Sequence, residues 1–420
     1  MNYFIPKIIL TIVLLFSLSA HAVTMGRIPS SSVAYAIYDI KQKQFIHEHN
    51  ADRPMNPASV MKLVTTYAAL DTLGERFRWQ TQWTSRASIQ HGVLDGNIYW
   101  RGSGDPVFNA QALSDMQNQL KKKGIRNISG SLIMDRSIWS HVATAANFGN
   151  DKGRWFTVAP DPHHLAATKL SLSSLCESED DENCQSPAVI TDKKETSQSA
   201  NRFVEQWRFL GGEGVNQVLD GTAPNDAKVL AKHYSPPLSE VVRIMNKQSN
   251  NLIARSIFLT LGTSFSAEDT IEIAKNTIKE SLSRHGIDPS SLVLENGSGL
   301  SRVERVSARM LALMLADAYQ QSFSKTFIDS LPIAGVDGTL KRRLKDMPTL
   351  HLKTGTLKNV RAYAGYFLPN NRQQNPLAMV VIVNHDGIGS YLHDIDVLTK
   401  SLVSENSCKT GRGECSSKLQ

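Results

Sequence analysis

A mixed α/β (α+β) fold is what three features of the sequence predict. Residues 32–50 alternate apolar and polar side chains on either side of a Lys41-Gln42-Lys43 turn, the pattern of a strand pair. Directly after it, Pro57-Ala58-Ser59 opens a stretch to Leu73 that is apolar around most of its helical circumference, which predicts a buried helix. Far downstream, helical patterns at 238–247, 252–261, 269–285 and 307–321 give way to strand candidates at 349–356, 361–368 and 377–384. A last helix over 391–404 closes the pattern.

The opening helix has its punctuation in place. Pro57 suits a first helical turn, where its missing N–H costs nothing, and Gly74 suits the position just past the end. Residues 75–235 have a different texture. Strand-like pieces at 79–85, 97–101 and 129–134 flank an amphipathic helix over 110–123, with the turn Gly102-Ser103-Gly104-Asp105-Pro106 between. Residues 173–200 are rich in Ser, Asp, Glu and Lys and read as a loop or a reduced subdomain, and Pro236-Pro237 marks a boundary.

Composition narrows the class. The 420 residues are 41% hydrophobic and 20% charged, an ordinary globular balance rather than a disordered or multi-span membrane one. The formal charge of +7 raises nucleic acid as a partner. The basic runs are only Lys121-Lys122-Lys123 and Lys341-Arg342-Arg343, so no nucleic-acid partner is expected. Residues 1–22 read as a secretory signal peptide: Lys7 charges its start, residues 8–18 are apolar, and Ala20-His21-Ala22 is a small-x-small cleavage site. That apolar run is too short to span a bilayer of roughly 30 Å. The mature protein is therefore expected outside the cytoplasm, in the periplasm. Cysteine usage agrees. Cys176 lies near Cys184 and Cys408 near Cys415, so two short-loop disulfides are the simplest of the three pairings. No metal site is expected: no C-x-x-C occurs, and His163-His164 reads as packing or surface.

Three short motifs carry chemistry. Ser59-Val60-Met61-Lys62 is an S-x-x-K, which on a helix puts hydroxyl and amine on one face. A lysine can take the serine proton if desolvation or a neighbouring cation lowers its pKa. Ser249-Asn250-Asn251 is an S-x-N that interrupts two helical patterns, as a tight joint aiming polar side chains into a cleft would. Lys353-Thr354-Gly355 is a K-T-G followed by Thr356, at the end of a strand candidate. Lys353 and the threonines there suit a carboxylate, and Gly355 would let a substrate backbone approach closely. Each motif alone is cheap. Ser322-Phe323-Ser324-Lys325, Ser199-Ala200-Asn201, Ser404-Glu405-Asn406 and Lys409-Thr410-Gly411 also match, but in polar or unsuitable contexts.

The three motifs in this order resemble the penicillin-binding proteins and serine β-lactamases. Residues 297–302 (GSGLSR), 331–340 (LPIAGVDGTL) and 353–357 (KTGTL), with Gly102-x-Gly104-Asp105-Pro106, are similar to the D-alanyl-D-alanine carboxypeptidase/endopeptidase family of class C low-molecular-mass penicillin-binding proteins, peptidase family S13. The resemblance implies a penicillin-binding-protein/β-lactamase-like domain from residues 23–80 and 235–405, split by an inserted α/β domain at 81–234 whose nested third domain is reduced, with a polar tail at 406–420. It implies peptidoglycan stem peptides as substrate, β-lactams as acylating inhibitors, and no cofactor. Ser59, Lys62 and Ser249 would be catalytic, while Asn251, Lys353, Thr354, Gly355 and Thr356 would bind substrate. A β-lactamase is the rival reading. Against it, Ser59 and Ser249 stand 190 residues apart and Glu295-Asn296 is not a deacylation motif. A non-catalytic wall-binding protein on the same fold is the third. Asn296 stands where many members have Asp and receives no chemical role, and Trp139 reads as a buried aromatic rather than a substrate contact.

Overall fold

The computed structural model describes residues 23–140, 142, 161–166, 192–263 and 269–404. Strands β1 (Val33–Asp39) and β2 (Gln44–His49) come first. A 3-10 turn over Ala58–Val60 then feeds helix α1 (Met61–Thr72). The middle of the chain holds β3 (Gln80–Ser85), β4 (Ile89–Gln90), β5 (Val93–Leu94), β6 (Ile98–Arg101), α2 (Ala110–Lys122), β7 (Asn127–Ile128) and β8 (Leu132–Asp135). It continues with α3 (Asp192–Phe209), β9 (Glu213–Gly214), β10 (Val218–Asp220) and β11 (Lys228–Tyr234). Helices α4 (Leu238–Gln248), α5 (Asn251–Leu261), α6 (Thr270–Arg284), α7 (Ala308–Ala318) and α8 (Ser324–Asp329) follow. Strands β12 (Leu350–Leu357), β13 (Val360–Phe367) and β14 (Leu377–Asn384) and helix α9 (Leu392–Ser404) complete the chain.

The two ends of the sequence meet in one antiparallel sheet of order β12-β13-β14-β1-β2. Strand alternation gives the sheet two apolar faces. Val33, Tyr35 and Ile37 of β1 and Met379, Val381 and Val383 of β14 lie under α9, against Ile395, Leu398 and Leu402. The opposite face carries Ala34, Ala36, Ala362, Ala364 and Ala378 beside Tyr366, Val380 and Ile382, and α7 packs over β1 and β14. Helix α1 sits inside the helical layer, touching α4, α5, α6 and α7, and every residue from Met61 to Leu70 is buried. That is why its sequence is apolar all round.

Residues 80–234 form sheets of their own. One has the order β10-β8-β6-β3-β11 and encloses Trp83, Trp100, Phe203 and Trp207; the other joins the short strands β4-β5-β7-β9. Hydrogen bonds join the chain where it enters this region and where it leaves. Trp79 N–H donates to Ser235 Oγ at 3.0 Å, and Ser235 N–H donates to the Trp79 carbonyl at 3.0 Å.

Two expectations change, and a third is given its partners. Pro57 precedes a 3-10 turn rather than opening the α-helix, which begins only at Met61. The polar stretch 173–200 runs into α3, whose Ala200, Phe203 and Trp207 fill the inserted core at helical spacing; the polar residues before them mask that stripe. His163 does have an acidic neighbour, since its ring bonds Asp161 at 3.0 Å and the Trp100 carbonyl at 2.8 Å, which makes it a packed histidine. Trp139 is buried against Gly104. Residues 1–22, Cys176, Cys184, Cys408, Cys415 and the tail at 406–420 lie outside the described residues. Among the described residues no helix is long and apolar enough to cross a membrane.

The alanine face yields a prediction. Ala36→Leu forces extra methylenes between β1 and α7 and should lower unfolding free energy by about 1–3 kcal/mol, read from the denaturant midpoint. An unchanged midpoint would show that the layer is not packed as described.

Candidate active site

The turn that carries Ser59 is held in a conformation its residues do not favour. Ala58, fully buried, has φ 46°, a left-handed value that costs a non-glycine residue about 1 kcal/mol. Two glycines leave room for it. A Cβ on Gly299 would stand 1.9 Å from the Ala58 carbonyl oxygen, and one on Gly355 would stand 2.4 Å from the Pro57 carbonyl oxygen. Gly355 thus brings strand β12 against the serine turn, a different reason for glycine from the substrate approach expected of it. Asn56 closes the turn from below: its Oδ1 accepts the Ala58 N–H at 2.9 Å.

Lys62, in the first turn of α1, has no solvent exposure. Its Nζ donates to Ser59 Oγ at 2.9 Å, to Asn251 Oδ1 at 2.6 Å and to the Ser298 carbonyl at 2.5 Å. As an ammonium Nζ can donate to all three; as a free amine it donates to two and can accept the Ser59 hydroxyl proton. The Ser298 carbonyl is presented by a tight turn. Asn296 Oδ1 accepts from Ser298 N–H and Oγ–H, and Thr65 of α1 donates its hydroxyl to the Gly297 carbonyl at 2.6 Å. Buried Glu304 accepts three consecutive backbone N–H groups, from Glu295, Asn296 and Gly297, on one oxygen at 3.1–3.2 Å.

The S-x-N lies at the joint between α4 and α5. Ser249 ends α4 in the left-handed region at φ 55°, and Asn250 caps α5 by accepting the Ile253 N–H. That one-residue reversal turns Ser249 and Asn251 to the same side. Lys353 comes from β12, also without exposure, and donates to Ser249 Oγ and to the Thr354 carbonyl, each at 2.8 Å. Thr354 and Thr356 share the half-buried face of β12, and Thr354 donates its hydroxyl to Thr339 at 2.8 Å. At its outer edge β12 pairs with residues 332–334 through the Leu352 N–H and the Leu350 carbonyl. Two-residue alternation therefore points the Thr354 and Thr356 N–H groups to that edge.

The eight site residues named from sequence thus fall on three facing segments. Ser59, Lys62 and Asn251 form one hydrogen-bonded set and Ser249 and Lys353 another; Thr356 is placed by strand register alone. The other S-x-x-K diverges: Lys325 is exposed and pairs with Asp329. Ser199 and Asn201 lie within α3. Sequence reading missed Asn56, the Ser298 carbonyl, Thr339 and Glu304. A backbone carbonyl has no residue-type signature, Asn56 reaches a partner 245 residues away, and Thr339 and Glu304 act within loops that carry no periodic signal.

Burial raises the Glu304 pKa above its ordinary 4.5, outweighing the three backbone donors. A raised carboxyl contributes stability below its unfolded value and loses it as pH rises through the folded value. Glu304→Gln removes that titration. The melting temperature of Glu304→Gln relative to wild type should therefore climb as pH rises above the ordinary carboxyl value of 4.5. A flat difference would contradict the buried-carboxyl reading.

The model of the D-Ala-D-Ala carboxypeptidase 3 (S13) family matches residues 14–200 and 182–395. The D-alanyl-D-alanine carboxypeptidase DacB of Haemophilus influenzae is 27% identical over 427 residues, covering 88% of this chain and 88% of that protein. The crystal structure of penicillin binding protein 4 (dacB) from Haemophilus influenzae superimposes with a TM-score of 0.74 at 26% identity, over 89% of this chain and 96% of that one. Its complex with a β-lactam gives 0.69 at 26% identity, over 89% and 95%. The order of the motifs, the fold and these matches agree: the chain belongs to the D-Ala-D-Ala carboxypeptidase 3 (S13) family.

Proposed function

We propose that this protein is a serine DD-peptidase that cleaves the D-Ala-D-Ala bond of peptidoglycan stem peptides through a Ser59 acyl-enzyme. One observation carries the reading: the buried Lys62 amine stands 2.9 Å from Ser59 Oγ, while the same cleft holds the Ser249–Lys353 pair at 2.8 Å. Lys62, as free amine, takes the Ser59 proton, and Oγ bonds to the penultimate D-Ala carbonyl carbon. Backbone N–H groups of Ser59 and Thr356 stabilise the oxyanion, a contribution of about 3 kcal/mol in a water-excluded site. Lys353, Thr354 and Thr356 hold the terminal carboxylate, and Asn251 holds the substrate amide. Ser249 relays the proton that Lys62 took from Ser59 to the departing nitrogen as the C–N bond breaks, releasing D-Ala and leaving Lys62 a free amine again. Water then splits the ester and restores the Ser59 hydroxyl. The same serine opens a β-lactam, whose leaving nitrogen stays tethered, so that acyl-enzyme persists. A cross-link in which a diamino acid follows the D-Ala presents the same carbonyl, which adds endopeptidase activity.

Export completes the proposal. Residues 1–22 act as the leader, and Cys176–Cys184 and Cys408–Cys415 form disulfides in the periplasm, with residues 23–80 and 235–405 as the catalytic domain around the insertion. Non-reducing mass analysis after thiol alkylation should find no free thiol on protein secreted by its own leader; four alkylated cysteines would refute the bridges.

Purified protein should bind a fluorescent penicillin covalently and release D-Ala from a pentapeptide ending in D-Ala-D-Ala, and Ser59→Ala should abolish both. Rapid penicillin turnover would favour a β-lactamase, and no labelling of wild type would defeat both enzymatic readings. Gly355→Ala should slow acylation by roughly a hundredfold, because the added methyl displaces the serine turn. Gly389→Ala, where a Cβ meets nothing within 4 Å, should acylate at the wild-type rate. Equal rates for the two variants would show that Gly355 does not set the turn.

A further inference from the structure

We infer that Asn56 is a positioning residue for Ser59: its buried carboxamide holds the strained turn of residues 56–59 in the conformation that aims the nucleophile. The inference rests on the Ser59 acyl-enzyme reading above. Every polar group of Asn56 is engaged. Oδ1 accepts the Ala58 N–H at 2.9 Å, and Nδ2 donates to the Ser301 carbonyl at 2.7 Å. Its backbone N–H donates to Asn384 Oδ1 at 2.9 Å, and its carbonyl accepts from Asn384 Nδ2 at 3.0 Å. Swapping the Asn56 oxygen and nitrogen would face donor with donor and acceptor with acceptor, so the network sets the orientation of the amide.

The geometry ties two sides of the cleft to one side chain. On one side is Ala58, whose φ of 46° a non-glycine residue keeps only when its surroundings impose it. On the other is Ser301, in the loop whose Ser298 carbonyl accepts from Lys62. A shift of Asn56 therefore moves the nucleophile and an acceptor of its lysine together. The Asn56 amide points at neither Ser59 Oγ nor the β12 edge, so it works through the backbone and not on the substrate. A residue of this kind should change the rate of the covalent step and leave substrate binding to Lys353, Thr354 and Thr356.

The test is stopped-flow acylation by a fluorescent penicillin over a range of concentrations, which separates the non-covalent Kd from the acylation rate constant. Wild type and Ser59→Ala set the frame: if wild type is unlabelled, or Ser59→Ala is labelled, the acyl-enzyme reading fails and takes this inference with it. With that frame intact, Asn56→Ala should lower the acylation rate constant by roughly tenfold or more and keep Kd within about twofold. Adding Ala58→Gly to Asn56→Ala should restore at least about threefold, because glycine occupies positive φ without being forced there. If Asn56→Ala does not fold, Asn56→Asp keeps the acceptor for Ala58 and loses the donor to Ser301, and the same drop in acylation rate is expected. A variant that melts lower and acylates at the wild-type rate, or a double variant no faster than Asn56→Ala, would overturn the inference.

Discussion

Two lysine amines held entirely out of water are the constraint on which the rest of this structure depends. A buried lysine amine is tolerated only where it finds hydrogen-bond partners, and leaving it unmet costs about 1–3 kcal/mol. Lys62 meets the requirement with Ser59, Asn251 and the Ser298 carbonyl, and Lys353 draws on Ser249 and the Thr354 carbonyl. Those acceptors come from the 3-10 turn before α1, the α4–α5 joint, the loop before α7 and strand β12. Satisfying two side chains therefore brings segments from both ends of the chain together. The polar cluster that results is also the one suited to acyl transfer.

Close backbone approach is the second half of the design. Gly299 and Gly355 admit the serine turn from opposite sides, and Ala58 between them takes up the strain. Strain of this kind persists only when the surroundings over-determine it. Here they do so through Asn56, Asn384 and the Glu304-bound turn. The inserted sheets stay outside this arrangement. The Trp79–Ser235 bonds join the chain where it leaves and where it returns, and the insertion also meets the helical layer through Trp139 and the Ser140–Thr270 bonds.

Much of this is legible in the sequence, for physical reasons that differ by element. Helix α1 shows itself because burial on all sides demands apolar residues all round. The S-x-N joint is visible as a polar break between two helical patterns, and β12 to β14 as consecutive strand-like runs. What escapes is what lacks a periodic or residue-type signal. Strands β4, β5, β7 and β9 are two residues long, too short to alternate. Helix α3 begins inside a polar stretch, and its core-facing Ala200, Phe203 and Trp207 follow that stretch. Gly355 looks like a glycine for a ligand, and its close approach to the Pro57 carbonyl is a second demand that no local pattern announces. Asn56 reads as a plain residue before a proline; its partners at Ser301 and Asn384 lie 245 and 328 residues away.

The central claim is that Ser59 is the atom that forms the covalent bond. Peptide mapping by mass spectrometry after brief exposure of the full protein to a penicillin tests it most directly. The account predicts a single penicilloyl adduct on the peptide containing Ser59, with the fragment ions placing it on that serine. An adduct on Ser249 or on any other residue, with Ser59 unmodified, would contradict it.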